Sequence, residues 1–256
     1  MRLVFTPLFD EVTRYFYSYF GNLPAEIKLR DWLANKENLE RVAHNVTVMV
    51  FATHGEPDKL FGDGYTIAVD KSNARIFNGK VAIVIACETA QTLGRLAIDN
   101  GAYAYFGFTE PFIFPILSTD NPLEDRYARA VLKPFWNFAY KVLTGRDIFK
   151  AFEELQKEID DTINEWKNSN DPFADMVIKA LLWNKEHMIL MVNMRPLWVI
   201  AKATQTASEQ NAKMTSFFTG LFIMMLCDPE ASAQLNFLFS TVAMLGGLIL
   251  ASREAS

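Results

Sequence analysis

Two residues stand where a thiol and an imidazole would carry out acyl transfer. They are Cys87, in the stretch VIACETA, and His54, in the stretch ATHGEP. Each directly follows a continuous apolar run rich in β-branched residues: residues 46–52 (VTVMVFA) before His54, and residues 81–86 (VAIVIA) before Cys87. Such runs suit strands buried on both faces of a parallel sheet. In open α/β sheets ligands bind outside the carboxyl ends of the strands. Nucleophile and base therefore fall on the same edge, and they converge if their strands are neighbours. A free thiol, with a pKa of about 8.5, is mostly protonated at neutral pH. An adjacent imidazole and the positive end of a helix both favour the thiolate. A helix predicted over residues 89–100 begins just past Cys87 and would supply that end. The oxyanion of an acyl-transfer site also needs N–H donors. Gly55, with no side chain, lets a carbonyl approach its backbone N–H. The Cys87 N–H, at a strand-to-helix turn, is the natural second donor.

Plainer readings exist for each residue alone. A cysteine ending an apolar strand is often a small core residue, and His-Gly is often a turn. The equivalent placement of the two is what favours a dyad. The other two of the three histidines, His44 and His187, lack that placement and read as a helix-end residue and a structural residue. Asp63, Glu88 and Glu110 fall on or near the same edge. A carboxylate at the base of a pocket there would pair with an arginine or lysine of a substrate. The alternative is solvated loop acids, with Glu88 stabilising the amino end of the predicted helix.

The elements that must position these residues alternate along the chain. Strand-like segments cover residues 3–5, 46–52, 81–86, 102–108 and 187–192, with a weaker one at 65–69. Helical periodicity covers residues 8–19, 31–43, 89–100, 123–143, 147–167 and 171–183. The helix at 89–100 stops at Asn100-Gly101, and the last begins at Asp171-Pro172, an N-cap followed by proline at the first helical position. This alternation predicts an α/β fold with a parallel-rich sheet.

Composition narrows the classes. The chain has 256 residues, half of them apolar and 21% charged, which argues against disorder. The net charge is −5 without a Lys/Arg run, so no nucleic-acid footprint is expected. The two cysteines, Cys87 and Cys227, lack the spacing of a disulfide framework or a zinc site, and no metal or cofactor is expected. The amino-terminal apolar run is broken at Pro7 and Asp10. It forms no signal-peptide core, and the main domain is expected in the cytoplasm.

Residues 1–200 read as one domain, 201–213 as a polar linker and 214–256 as an apolar helical hairpin. Within the hairpin, residues 235–251 run 17 residues without a charge, at the lower limit for a spanning helix. Lys202, Lys213 and Arg253 outside the two apolar segments, with Asp228 and Glu230 between them, would put both ends on the cytoplasmic side. Two readings stay open: membrane association through residues 214–252, which would hold the domain at the cytoplasmic face, or a helix pair packed on the domain or on a partner.

At the residues quoted above the chain resembles the caspase-like superfamily of cysteine peptidases. The nearest branch is the bacterial and archaeal CHAT domains, with gingipain-type and separase-type relatives. The matching stretches are Ala52-Thr53-His54-Gly55, Ala86-Cys87-Glu88-Thr89-Ala90, the strand entered through Asn100-Gly101-Ala102, and the helical LTGRDIFKAF at 143–152. The resemblance spans about residues 1–195. It implies a caspase-like sheet with helices on both faces, His54 as general base, Cys87 as nucleophile, and Gly55 and Cys87 N–H groups as oxyanion donors. It also implies a protein substrate cleaved through a thioester, control by an activating or regulatory protein, and a setting in defence or cell death. The chain departs from true caspases in lacking their Gln-Ala-Cys-Arg-Gly signature, so a preference for aspartate does not carry over. Its His-to-Cys separation, 87 − 54 = 33, is also shorter than the ~50 of caspases, which predicts trimmed loops. The rival reading is a catalytically silent interaction module on the same fold.

Overall fold

The structure, a computed structural model, describes residues 1–117 and 119–193. The strands are β1 (Arg2–Thr6), β2 (Ile27–Arg30), β3 (Val48–Ala52), β4 (Gly55–Glu56), β5 (Lys59–Phe61), β6 (Ile67–Val69), β7 (Val81–Ile85), β8 (Ala104–Phe108) and β9 (Met188–Val192). The helices are α1 (Glu11–Phe20), α2 (Lys36–Ala43), α3 (Leu93–Asp99), α4 (Arg126–Leu143), α5 (Ile148–Lys167) and α6 (Ala174–His187).

The two apolar runs that precede His54 and Cys87 become β3 and β7, at the centre of a six-stranded sheet ordered β2-β1-β3-β7-β8-β9. All neighbours pair in parallel except β9, which runs antiparallel to β8. Central strands of such a sheet are covered on both faces, which is why β3, β7 and β8 lack the apolar–polar alternation of a half-exposed strand. One face packs Leu3, Phe5, Met49, Phe51, Ala82, Val84 and Tyr105 against α2, α3 and the small sheet. On the other face, α1 lies against β1 and β3, and Phe106 meets Phe135, Phe138 and Phe152 of α4 and α5.

Several expected elements are placed differently. The edge strand β2 was not foreseen. The weak strand at 65–69 shortens to β6 and belongs to a separate three-stranded antiparallel sheet, β4-β5-β6. That sheet occupies much of the span between His54 and Cys87, so the short separation still accommodates an inserted sheet rather than merely trimmed loops. The helix expected from residue 171 begins at Ala174, because the Asp171 side chain accepts from the Phe173 N–H (2.9 Å) and turns the chain first. Among the described residues no helix is long and apolar enough to cross a membrane. The proposed linker and the hairpin at 214–256 lie outside the described residues.

Candidate functional site

The register of β3 against β7 pairs Ala52 with Ile85. His54 and Cys87 each lie two residues beyond that pair, at equivalent positions on adjacent strand ends. Strands so paired lie about 4.8 Å apart, which carries the two residues to one place. Both line a single cleft of about 210 Å³.

Contacts between the two loops fasten this arrangement. A Cβ added to Gly55 would fall 2.6 Å from Thr89 Cγ2, 2.8 Å from the Cys87 carbonyl oxygen and 3.0 Å from Ala86 Cβ. Only glycine lets the His54 loop lie this close to the Cys87 loop. The Phe61 N–H donates to the His54 carbonyl (3.0 Å), while Gly55 sits opposite Leu60 in the next, non-bonded position of the β4–β5 pair. By the alternation of antiparallel ladders, the Gly55 N–H then points away from β5. The backbone of Glu88, the residue after Cys87, is held at φ 59°. That left-handed conformation costs a non-glycine residue about 1–3 kcal/mol, and such strain collects at functional sites.

A third side chain completes the constellation, and the sequence reading missed its role. Asp10 caps α1 through a reciprocal pair: its carboxylate accepts from the Thr13 N–H (2.8 Å), and Thr13 Oγ1 accepts from the Asp10 N–H (2.9 Å). Its Oδ2 meets His54 Nε2 at 2.7 Å and accepts from Tyr65 OH, also at 2.7 Å. Burial would raise the Asp10 pKa, but hydrogen bonds from the Thr13 backbone, Tyr65, the Thr13 hydroxyl and His54 bring it down to about 2. Asp10 is therefore a carboxylate at neutral pH and can only accept. His54 Nε2 must carry a hydrogen, and in the neutral ring Nδ1 is left as the base. The ring is flanked by Phe9 (centroids 5.8 Å) and stacked on Tyr65 (5.4 Å). A signal for Asp10 was present in the sequence: an Asp-x-x-Thr cap just after the first strand, on the same sheet edge.

The environment of Cys87 corrects one expectation. The helix predicted over 89–100 begins only at Leu93, after a turn. The N–H groups of Thr92 and Leu93 donate to the Pro57 carbonyl (3.2 and 2.8 Å), and that of Gly94 donates to the Thr89 carbonyl (2.8 Å). The amino end of α3 is thus occupied by the β4–β5 turn and does not face the sulfur, and Glu88 is not at its terminus. Burial raises the Cys87 pKa, and the Glu88 charge adds to this; the Phe112 and Cys87 backbone N–H groups oppose it. The net direction is upward. The half-buried thiol is therefore protonated at neutral pH, and it is not the preformed thiolate that the helix argument predicts.

The rest of the cleft is apolar except for Thr53: Val12 and Phe16 from α1, Ala86 beside Cys87, and Phe112, Ile113, Phe114 and Ile116 from the segment after β8. None of the three carboxylates considered for a substrate pocket lines it. Asp63 sits in a turn, where its N–H donates to the Ala34 carbonyl (2.8 Å), and the Glu88 N–H meets the Glu110 carbonyl (3.3 Å) beside the cleft. His44 directly follows α2 with its ring against Asn45, and His187 ends α6 with its ring against Trp183. A wider groove of about 510 Å³ lies elsewhere, lined by Arg126, Trp166 and Asp171. No histidine or cysteine lines it. Among the described residues no group of three or more His, Cys, Asp and Glu is arranged to hold a metal ion.

No protein-family model matches the chain, and no curated protein matches it.

Proposed function

We propose that the chain is a cysteine peptidase of caspase-like type that cleaves a peptide bond through a thioester on Cys87. The observation that carries this reading is the meeting of His54 and Cys87 in one cleft, at equivalent ends of adjacent parallel strands, with His54 held by Asp10. A parallel-rich sheet with helices on both faces is also the arrangement that the resemblance to caspase-like peptidases implies.

The chemistry follows from the protonation states. Because Cys87 is a thiol at rest, its proton passes from Sγ to His54 Nδ1 as the Sγ–carbon bond forms. Asp10 stabilises the resulting imidazolium through Nε2–H. The Gly55 and Cys87 N–H groups would take the developing oxyanion once the substrate carbonyl is seated. His54 then gives the proton to the departing amine nitrogen as the C–N bond breaks, leaving the thioester. A water deprotonated by His54 attacks the thioester and releases a carboxylic acid, and the sulfur recovers its proton.

One observation favours the rival reading of a silent interaction module: the upward displacement of the Cys87 pKa, which suits an unreactive buried thiol. A peptidyl acyloxymethyl ketone with glycine at the reacting position separates the two, since it needs the dyad and no side-chain pocket. The full chain should be labelled on Cys87, located by peptide mapping. Cys87→Ala should abolish that label, and His54→Ala should slow it by roughly a hundredfold, the low end of a general base's contribution. Labelling that ignores His54, or that falls equally on Cys227, would sink the peptidase reading.

A further inference from the structure

We infer that the cleft beside Cys87 receives an uncharged, leucine- or phenylalanine-sized side chain from the substrate residue whose carbonyl is attacked. This deepens the peptidase reading and rests on it. The observation is the lining: Val12, Phe16, Phe112, Phe114 and Ile116 share one cleft with His54 and Cys87. Among its lining residues only His54 can carry a positive charge, and no carboxylate is present to pair with an arginine or lysine.

The physical consequence is a selection by desolvation. A charged side chain entering this space would leave water without a partner, which is costly. An apolar one gains from the same transfer. The size agrees, since about 210 Å³ is well below the roughly 300–1,000 Å³ of sites that hold a whole drug-sized ligand. The space suits one large side chain. The aromatic walls are themselves braced: Phe16 packs on Phe112 and Phe114, with ring centroids 6.1 and 5.6 Å apart. The floor is therefore preformed. Ile116 is 38% exposed at the rim, where a substitution alters the cleft without emptying the core.

The test uses the full chain and four further peptidyl acyloxymethyl ketones, identical except for phenylalanine, leucine, arginine or aspartate at the reacting position. Phenylalanine or leucine should label Cys87 at least about tenfold faster than arginine or aspartate, within the range that a single apolar pocket supplies. Ile116→Asp should narrow or reverse the difference for arginine. If the glycine probe labels Cys87 with His54 dependence but arginine or aspartate matches or outpaces the apolar probes, this inference is overturned and the peptidase reading stands. If the glycine probe shows no His54-dependent label, both fall together. Ile116→Ser separates a charge effect from damage at the rim. It should keep arginine slow, and a gain for arginine equal to that in Ile116→Asp would also overturn the inference.

Discussion

Asp10 works twice, and its two tasks can be separated by one atom. Its Oδ1 caps α1 through the Thr13 N–H, while its Oδ2 holds His54 and Tyr65. Asparagine is as good an N-cap as aspartate, so Asp10→Asn should keep the α1 cap, and the stability it loses at neutral pH should be that of the carboxylate's bonds to His54 and Tyr65. It removes the charge that fixes the His54 tautomer, and labelling of Cys87 by the glycine probe should fall by roughly a hundredfold or more, as expected when a base loses its orienting carboxylate. Alanine should add a loss of about 1 kcal/mol from the missing cap. Unchanged labelling in Asp10→Asn would mean that the His54 contact is structural only. The dyad itself was legible because each member follows a long apolar run directly. Asp10 was not singled out, because a capping aspartate has a sufficient local explanation in sequence, and its second partner lies 44 residues away.

The cleft wall shows how an irregular segment is made rigid by the elements around it. Residues 111–117 form neither helix nor strand, yet side chains from α6 and from the start of α4 hold their backbone. Trp183 Nε1 donates to the Pro111 carbonyl (2.8 Å), and the Leu117 N–H donates to the buried Asp125 carboxylate (2.6 Å). Asn184, fully buried on α6, accepts from the Ile113 N–H (3.0 Å) and donates to its carbonyl (2.7 Å). Asn184→Leu would leave both Ile113 groups without that partner. It should destabilise the fold by roughly 1–3 kcal/mol, less than two fully buried unpaired groups would cost, because Ile113 is partly open to water. Because Ile113 lines the cleft, labelling by the phenylalanine probe should slow more than labelling by the glycine probe; equal slowing would detach the wall from side-chain selection. Element existence was readable here and element boundaries were not. Strands β3, β7 and β8 announced themselves by composition, but β2 (IKLR) is four residues at a sheet edge, too short and too charged for an apolar run to reveal it. The late start of α3 escaped for a tertiary reason: its first amides bond Pro57, a partner that no local pattern contains.

At the scale of the whole molecule, burial that serves packing also sets the pH limits of the fold. The Asp10 pKa is lowered to about 2 from an ordinary 3.8, so its contribution is present above the ordinary value and is lost as pH falls toward 2. Acid stability in wild type should therefore decline below about pH 4 more steeply than in Asp10→Asn, which has no carboxyl there to protonate. The opposite limb belongs to groups whose pKa is raised. Burial pushes Tyr19 up to about 12. It also raises Tyr15, where the Asp125 carboxylate adds to the effect, and the fully enclosed Tyr105. Cys87 moves in the same direction. A raised group stabilises the fold fully below its unfolded pKa, and that stability drains away as pH rises through the folded value. The fold should thus weaken progressively above about pH 9–10, where the unfolded thiol and phenols begin to lose protons. Near-ultraviolet absorbance reads this ionisation directly. Tyr15, Tyr19 and Tyr105 should ionise only together with the loss of tertiary circular dichroism. Reversible ionisation of all the tyrosines near pH 10 with the fold intact would contradict this, because it would require water to reach rings that the sheet and its two helical layers enclose.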